Sequence, residues 1–86
     1  MPTISRFFGI IISMFWDEHN PPHFHVRYGD FKCAISILDI TIIAGELPKK
    51  QERLVLAWAE IHQKELMQNW QLCQSDKQPM KIEPLR

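Results

Sequence analysis

The sequence predicts an α+β fold in two layers, a mainly antiparallel sheet of three to four strands with one long or broken C-terminal helix packed on one face. Three observations carry this reading. The stretches on either side of Gly29-Asp30 alternate apolar and polar side chains, as two strands of a hairpin do. Residues 49–74 instead repeat their apolar side chains at helical spacing. Finally, 86 residues with 45% hydrophobic content have room for one core and not for two. A single domain over 1–86 follows, with the sheet at about 4–47, the helix at about 49–74 and a tail at 75–86.

The first apolar run, Phe7 to Trp16, is rich in isoleucine and aromatic residues and too short for most helices, so it predicts a largely buried strand. Its even-numbered face, Phe8, Ile10, Ile12, Met14 and Trp16, is uniformly apolar and is the expected core side. Phe7, Ile11 and Phe15 then remain on the other face, a patch of the kind that marks interfaces. In the following DEHNPP, two prolines fix φ, remove backbone donors and hold their preceding residues away from helix, which makes a stiff loop.

From His23 to Tyr28 the alternation is strict. Phe24, Val26 and Tyr28 point one way, and His23, His25 and Arg27 the other. A two-residue turn at Gly29-Asp30 sets Tyr28 opposite Phe31, Arg27 opposite Lys32, Val26 opposite Cys33, Phe24 opposite Ile35 and His23 opposite Ser36, so both strands agree on the core side. A weaker strand is expected over Ile40–Ala44. Pro48 then suits a helix start, and Leu54, Val55, Trp58, Ile61, Leu66, Trp70 and Cys73 form the stripe that covers the sheet. Glu65 and Asn69 interrupt that stripe, which predicts a break near the middle. The polar tail is expected to dock through Ile82 and Leu85 and to fray at its end.

Charge and cysteine usage narrow the function classes. Ten Lys plus Arg balance ten Asp plus Glu, so the net field indicates neither nucleic acid nor an anionic membrane as partner. Cys33 and Cys73 form no Cys-x-x-Cys pair and are expected as reduced core thiols. The run from Phe7 to Trp16 is about half the roughly 20 apolar residues that span a bilayer, and no small-residue cleavage site follows it. The expected location is the cytoplasm.

The chemically distinctive residues are His19, His23, His25 and Arg27, with Asp17 and Glu18 just upstream. One reading gathers His19, His23 and His25 around a divalent transition metal, the candidate cofactor, with a nearby carboxylate to complete the site. Another makes His23 and His25 the catalytic acid and base and gives Arg27 the charge of a phosphate, since imidazole populates both protonation states near neutrality. A third has the imidazoles and prolines merely lock the loop by hydrogen bonds on a solvated face. His62 is expected as a half-buried packing residue, Trp58 and Trp70 as core or interface anchors, and Lys49, Lys50 and Arg53 as a small basic patch at the helix start.

DEHNPPHFHVRYG, preceded by PTISRFFGI and followed by LPKK, WAEIHQKEL, NW and a closing IEPL, resembles the small prokaryotic domain-of-unknown-function family 4160 nearly end to end. The stretch DITIIAGE departs from it, since family members tend to have a clearer glycine-containing turn there. The resemblance implies a component of a two-gene toxin-antitoxin module that binds a small partner protein from an adjacent gene, or that forms a homo-oligomer, through the His-lined face. The alternative is a histidine-dependent ribonuclease or metal-dependent hydrolase. A transcriptional regulator stands third, since no helix-turn-helix is evident and the one convincing helix is expected to serve the core.

Overall fold

Strands joined by short turns pair with their neighbours in sequence, and this chain does so throughout. The computed structural model describes residues 2–86. Strands β1 (Thr3–Phe7), β2 (Ile10–Ser13), β3 (His23–Tyr28), β4 (Phe31–Ser36) and β5 (Thr41–Gly45) form one five-stranded antiparallel sheet in the order β1-β2-β3-β4-β5. Two helices follow, α1 (Lys49–Ile61) and α2 (Gln63–Gln74). The fold class is thus α+β, with five strands and two helices where the sequence predicts three to four strands and one long or broken helix.

The additional strand is β1, which lies ahead of the first apolar run and shares only Phe7 with it, and the run itself contains a turn before its own strand, β2. Phe8 and Gly9 take φ of 50° and 79°, so the chain reverses there and Phe7 lies opposite Ile10. Positive φ at both central residues suits a two-residue hairpin, and phenylalanine in the first of them hides that turn from a reading based on composition. Ile10, Ile12 and Met14 are buried as expected, whereas Phe8 and Trp16 are exposed and Phe7 joins the core. The expected outward patch therefore loses Phe7 and keeps the half-buried Ile11 and Phe15.

The central hairpin has the expected register, from Tyr28 opposite Phe31 to His23 opposite Ser36. Phe24 and Val26 are buried beneath α1, and Trp58 of that helix meets Phe24 and Phe7 at ring-centroid distances of 6.0 and 5.4 Å. The helices part at His62, and α2 keeps Leu66, Trp70 and Cys73 in the core while reaching the end of the sheet where β3 begins and β4 stops. Gln63 donates to the Ile37 carbonyl at 2.7 Å, and Trp70 lies against His23 at 5.3 Å. Ile61, contrary to its place in the apolar stripe, is exposed: in α1 it falls to one side of the buried face of Val55, Trp58 and Ala59. Asn69 interrupts that stripe for a reason: it is buried, and its side-chain amide bonds both the N–H and the carbonyl of Met80 at 2.8 Å. The tail is held further along by Ile82 N–H on the Ile4 carbonyl and Trp58 Nε1 on the Glu83 carbonyl, each at 2.8 Å, so it straps the β1 edge to α1. Ile4 can offer that carbonyl because β1 is an edge strand, whose outward backbone groups have no neighbouring strand to pair with.

β5 begins and ends one residue later than expected, and its pairing with β4 skips Ile43. Gly45 closes the strand at φ 75°, where a Cβ would stand 2.2 Å from the Lys32 carbonyl oxygen and 2.9 Å from the Cys33 Cα. Both obstacles are backbone. Gly45→Ala is therefore expected to cost roughly 2–3 kcal/mol in urea unfolding, from strained φ and a forced shift of β4; an unchanged midpoint would mean that β5 does not close against β4 in this way.

Cys33 and Cys73 are buried free thiols. Burial pushes both up from the ordinary 9.0, and the nearby Glu52 carboxylate adds to the rise of Cys33, which reaches about 11. The unfolded chain then loses the Cys33 proton at lower pH than the folded one. Its contribution to stability is complete below pH 9.0 and is lost as pH climbs through about 11. Alkylation of the native protein at pH 8 is expected to be slow at both cysteines and fast only in denaturant; rapid native labelling of Cys33 would contradict its burial. Among the described residues, no helix is long and apolar enough to cross a membrane.

Candidate metal centre

The site lies where the stiff loop after β2 folds back over the start of β3. Two hydrogen bonds to the end of α2 and the segment just after it tether that loop, Gln74 Nε2 to the Glu18 carbonyl at 2.9 Å and Trp16 Nε1 to the Lys77 carbonyl at 2.9 Å. Between the tethers Asp17 takes φ of 57°, and past them Asn20-Pro21 is a cis peptide. Glu18 is thereby turned back over the polar face of β3. On that strand His23 and His25 project together, as alternation requires, with ring centroids 5.1 Å apart.

Glu18, His23 and His25 each offer one ligand atom, and the three atoms lie within 4.8 Å of one another. All three residues are half-buried. His25 Nε2–H donates to Glu18 Oε1, the same oxygen that stands 3.5 Å from His23 Nε2. His23 Nδ1–H donates to the Pro21 carbonyl at 2.7 Å, and this bond fixes the neutral tautomer with its lone pair on Nε2. That lone pair faces a carboxylate oxygen. Two acceptors facing each other call for a cation between them, either a proton or a metal ion. A metal-bound histidine commonly donates its other ring N–H to a carbonyl, and the Pro21 contact has this form. Trp70 on one side of His23, and Phe15 at 4.4 Å from the ring of His25, restrict both imidazoles to their positions.

The other expected residues are distributed differently. His19 is exposed and outside the cluster, and one of the two upstream carboxylates, Glu18 rather than Asp17, occupies the third corner. Arg27 is exposed on the same face as His25, one ladder step further along β3, and belongs to the wall of a neighbouring cleft. His62 is half-buried at the helix break, against Trp58 and bonded to Glu65, in the packing role expected of it. Glu18 carries a signal that the sequence does contain: a carboxylate five residues before His23, in a loop that prolines compel to turn back.

A protein-family model described as "Domain of unknown function (DUF4160)" matches residues 9–71. The chain belongs to this family. The DUF4160 match takes in β2 to β5, α1 and most of α2, together with Glu18, His23, His25 and Arg27. It excludes β1 and the tail strap. Comparison with curated proteins and with solved structures gave no match.

Proposed function

We propose that this domain is a metal-dependent hydrolase whose centre is a divalent transition ion held by Glu18, His23 and His25. The observation that supports it most directly is the convergence of His23 Nε2 and His25 Nε2 on one Glu18 carboxylate oxygen, while His23 Nδ1 is committed to the Pro21 carbonyl. Two imidazoles and one carboxylate are a donor set for zinc, iron or nickel, and three protein ligands leave a position open for water. A metal at such a centre lowers the pKa of bound water to about 7 and so supplies hydroxide near neutrality. His25 opens on one side to a cleft of about 560 Å³, large enough for a small substrate.

The test is elemental analysis of the purified protein, followed by titration of the EDTA-stripped protein with zinc, nickel and cobalt(II). One equivalent of metal, with a cobalt spectrum of four- or five-coordinate N/O ligation, is the expected result. Failure of all three ions to bind at micromolar concentration overturns the proposal.

A partner-binding role, the one implied by the toxin-antitoxin resemblance, draws on a different feature. β5 is an edge strand with exposed residues along most of its length, including Ile43 at 46%. Such an edge accepts a strand from a second protein. On this reading light scattering gives a homodimer, or coexpression with the adjacent gene product gives a heteromer; a monomer under both conditions counts against it.

A further inference from the structure

The open face of the sheet concentrates positive charge in a chain whose charges otherwise balance. Arg6, Ile11, Arg27 and Lys32 stand opposite one another in a single row across β1, β2, β3 and β4. Arg27 thus faces Lys32 directly, an arrangement of like charges that destabilises a sheet unless an anion relieves it. No ion pair reaches Arg6, Arg27 or Lys32, and no carboxylate lines the cleft they border, among the described residues. Ten acidic residues are available in the chain, and the cleft takes none of them. The next row along the strands is Ser13, His25, Ala34 and Ala44, two residues or roughly 7 Å away. Its alanines, with Ile11 and Phe15, give the cleft an apolar floor beside the cations.

We propose that this cleft binds a nucleotide phosphate, free or within single-stranded RNA, with the phosphate on Arg6, Arg27 and Lys32 and the base or sugar over the apolar floor. Two guanidinium groups and an ammonium suit the charge and the several acceptor oxygens of a phosphate. The small side chains of Ala34 and Ala44 leave room over β4 and β5, and the volume of about 560 Å³ admits one nucleotide. The inference names the substrate class of the metal reading and rests on it only for catalysis, because the phosphate contacts involve none of Glu18, His23 and His25.

The experiment is calorimetric titration of the EDTA-stripped full chain with inorganic phosphate, with adenosine and uridine 5′-monophosphates, and with a short single-stranded oligoribonucleotide. Nucleotide is expected to bind more tightly than inorganic phosphate and to weaken steeply with salt. The double variant Arg27→Gln with Lys32→Gln is expected to weaken it about tenfold or more while leaving metal affinity in place and raising the melting temperature of the ligand-free protein, since the facing like charges are gone. Arg53→Gln, in the basic patch on α1, should change neither. A gain from mononucleotide to oligonucleotide identifies RNA as the source, and equal affinity identifies the free nucleotide. His23→Ala losing metal but keeping nucleotide separates this inference from the metal proposal. It is overturned if no nucleotide binds at millimolar concentration, if inorganic phosphate binds as tightly, or if the double variant binds unchanged.

Discussion

Phe24→Ala is expected to destabilise the domain by roughly 3–5 kcal/mol, while His25→Ala, the next residue of the same strand, changes stability by no more than about 1 kcal/mol. Phe24 is fully buried, opposite Ile35 and against the Trp58 indole, and its truncation leaves a cavity that a sheet fixed on both sides cannot close. A loss of that size is a large part of the 5–15 kcal/mol that typically holds a whole domain together. The His25 side chain is 33% exposed, and its hydrogen bond to Glu18 is made at the solvated side of the sheet. Urea unfolding followed by circular dichroism measures both. Should His25→Ala unfold the protein and Phe24→Ala prove benign, the two faces of β3 have been exchanged and the histidines are core residues.

The legible part of the fold is the part where two independent patterns had to agree. Between residues 23 and 36 the alternation of each strand and the Gly29-Asp30 turn fix one register, and it is the register observed. Residues 7 to 16 lack such a check. Phe8-Gly9 is a turn whose signal rests on conformation, since positive φ at phenylalanine is permitted by the surrounding pairing and not by its own preference. The apolar run therefore reads as continuous although the chain reverses inside it. On the helical side, Asn69 was visible as an interruption, but its cause lies eleven residues away at Met80, in a contact that only the docked tail creates. Ile61 misled for another reason. It follows Trp58 by three residues, but in α1 it lies on the far side of Trp58 from Val55 and Ala59 and so misses the sheet.

The candidate site divides along the same line. His23 and His25 follow from strand alternation alone, and so does their separation from Phe24. The third corner depends on how a loop turns back, which spacing does not determine: His19 and Glu18 are adjacent in sequence and point to different surroundings. The tethers from Gln74 and Lys77 that direct Glu18 inward come from the other end of the chain. Arg27 has the right face and the wrong row to be a fourth member. Its row reveals a basic cleft that net charge, being zero, concealed.

That distinction between neighbours supplies the sharpest expected difference in metal binding. Glu18→Ala and His23→Ala should each lower zinc affinity by about 100-fold or more, because even partners one step removed from a metal are worth 10–100-fold and these residues would be direct ligands. His19→Ala should leave the affinity unchanged, since that imidazole is exposed and outside the cluster. Lowering the pH should weaken binding in the native protein, as protons compete for the same nitrogen and oxygen atoms. Competition titration against a chromogenic chelator reads the native protein and the variants Glu18→Ala, His19→Ala, His23→Ala and His25→Ala on one scale, and their melting temperatures distinguish a lost ligand from a lost fold. His23 packs against Trp70, so His23→Ala carries some structural cost; Glu18, on the loop, serves as the variant with less. If His19→Ala is as damaging as Glu18→Ala, the loop turns its imidazole inward when metal arrives and His19 joins Glu18, His23 and His25 as a fourth ligand. If neither matters while His23→Ala and His25→Ala do, the two strand histidines bind the ion alone and the loop only covers them.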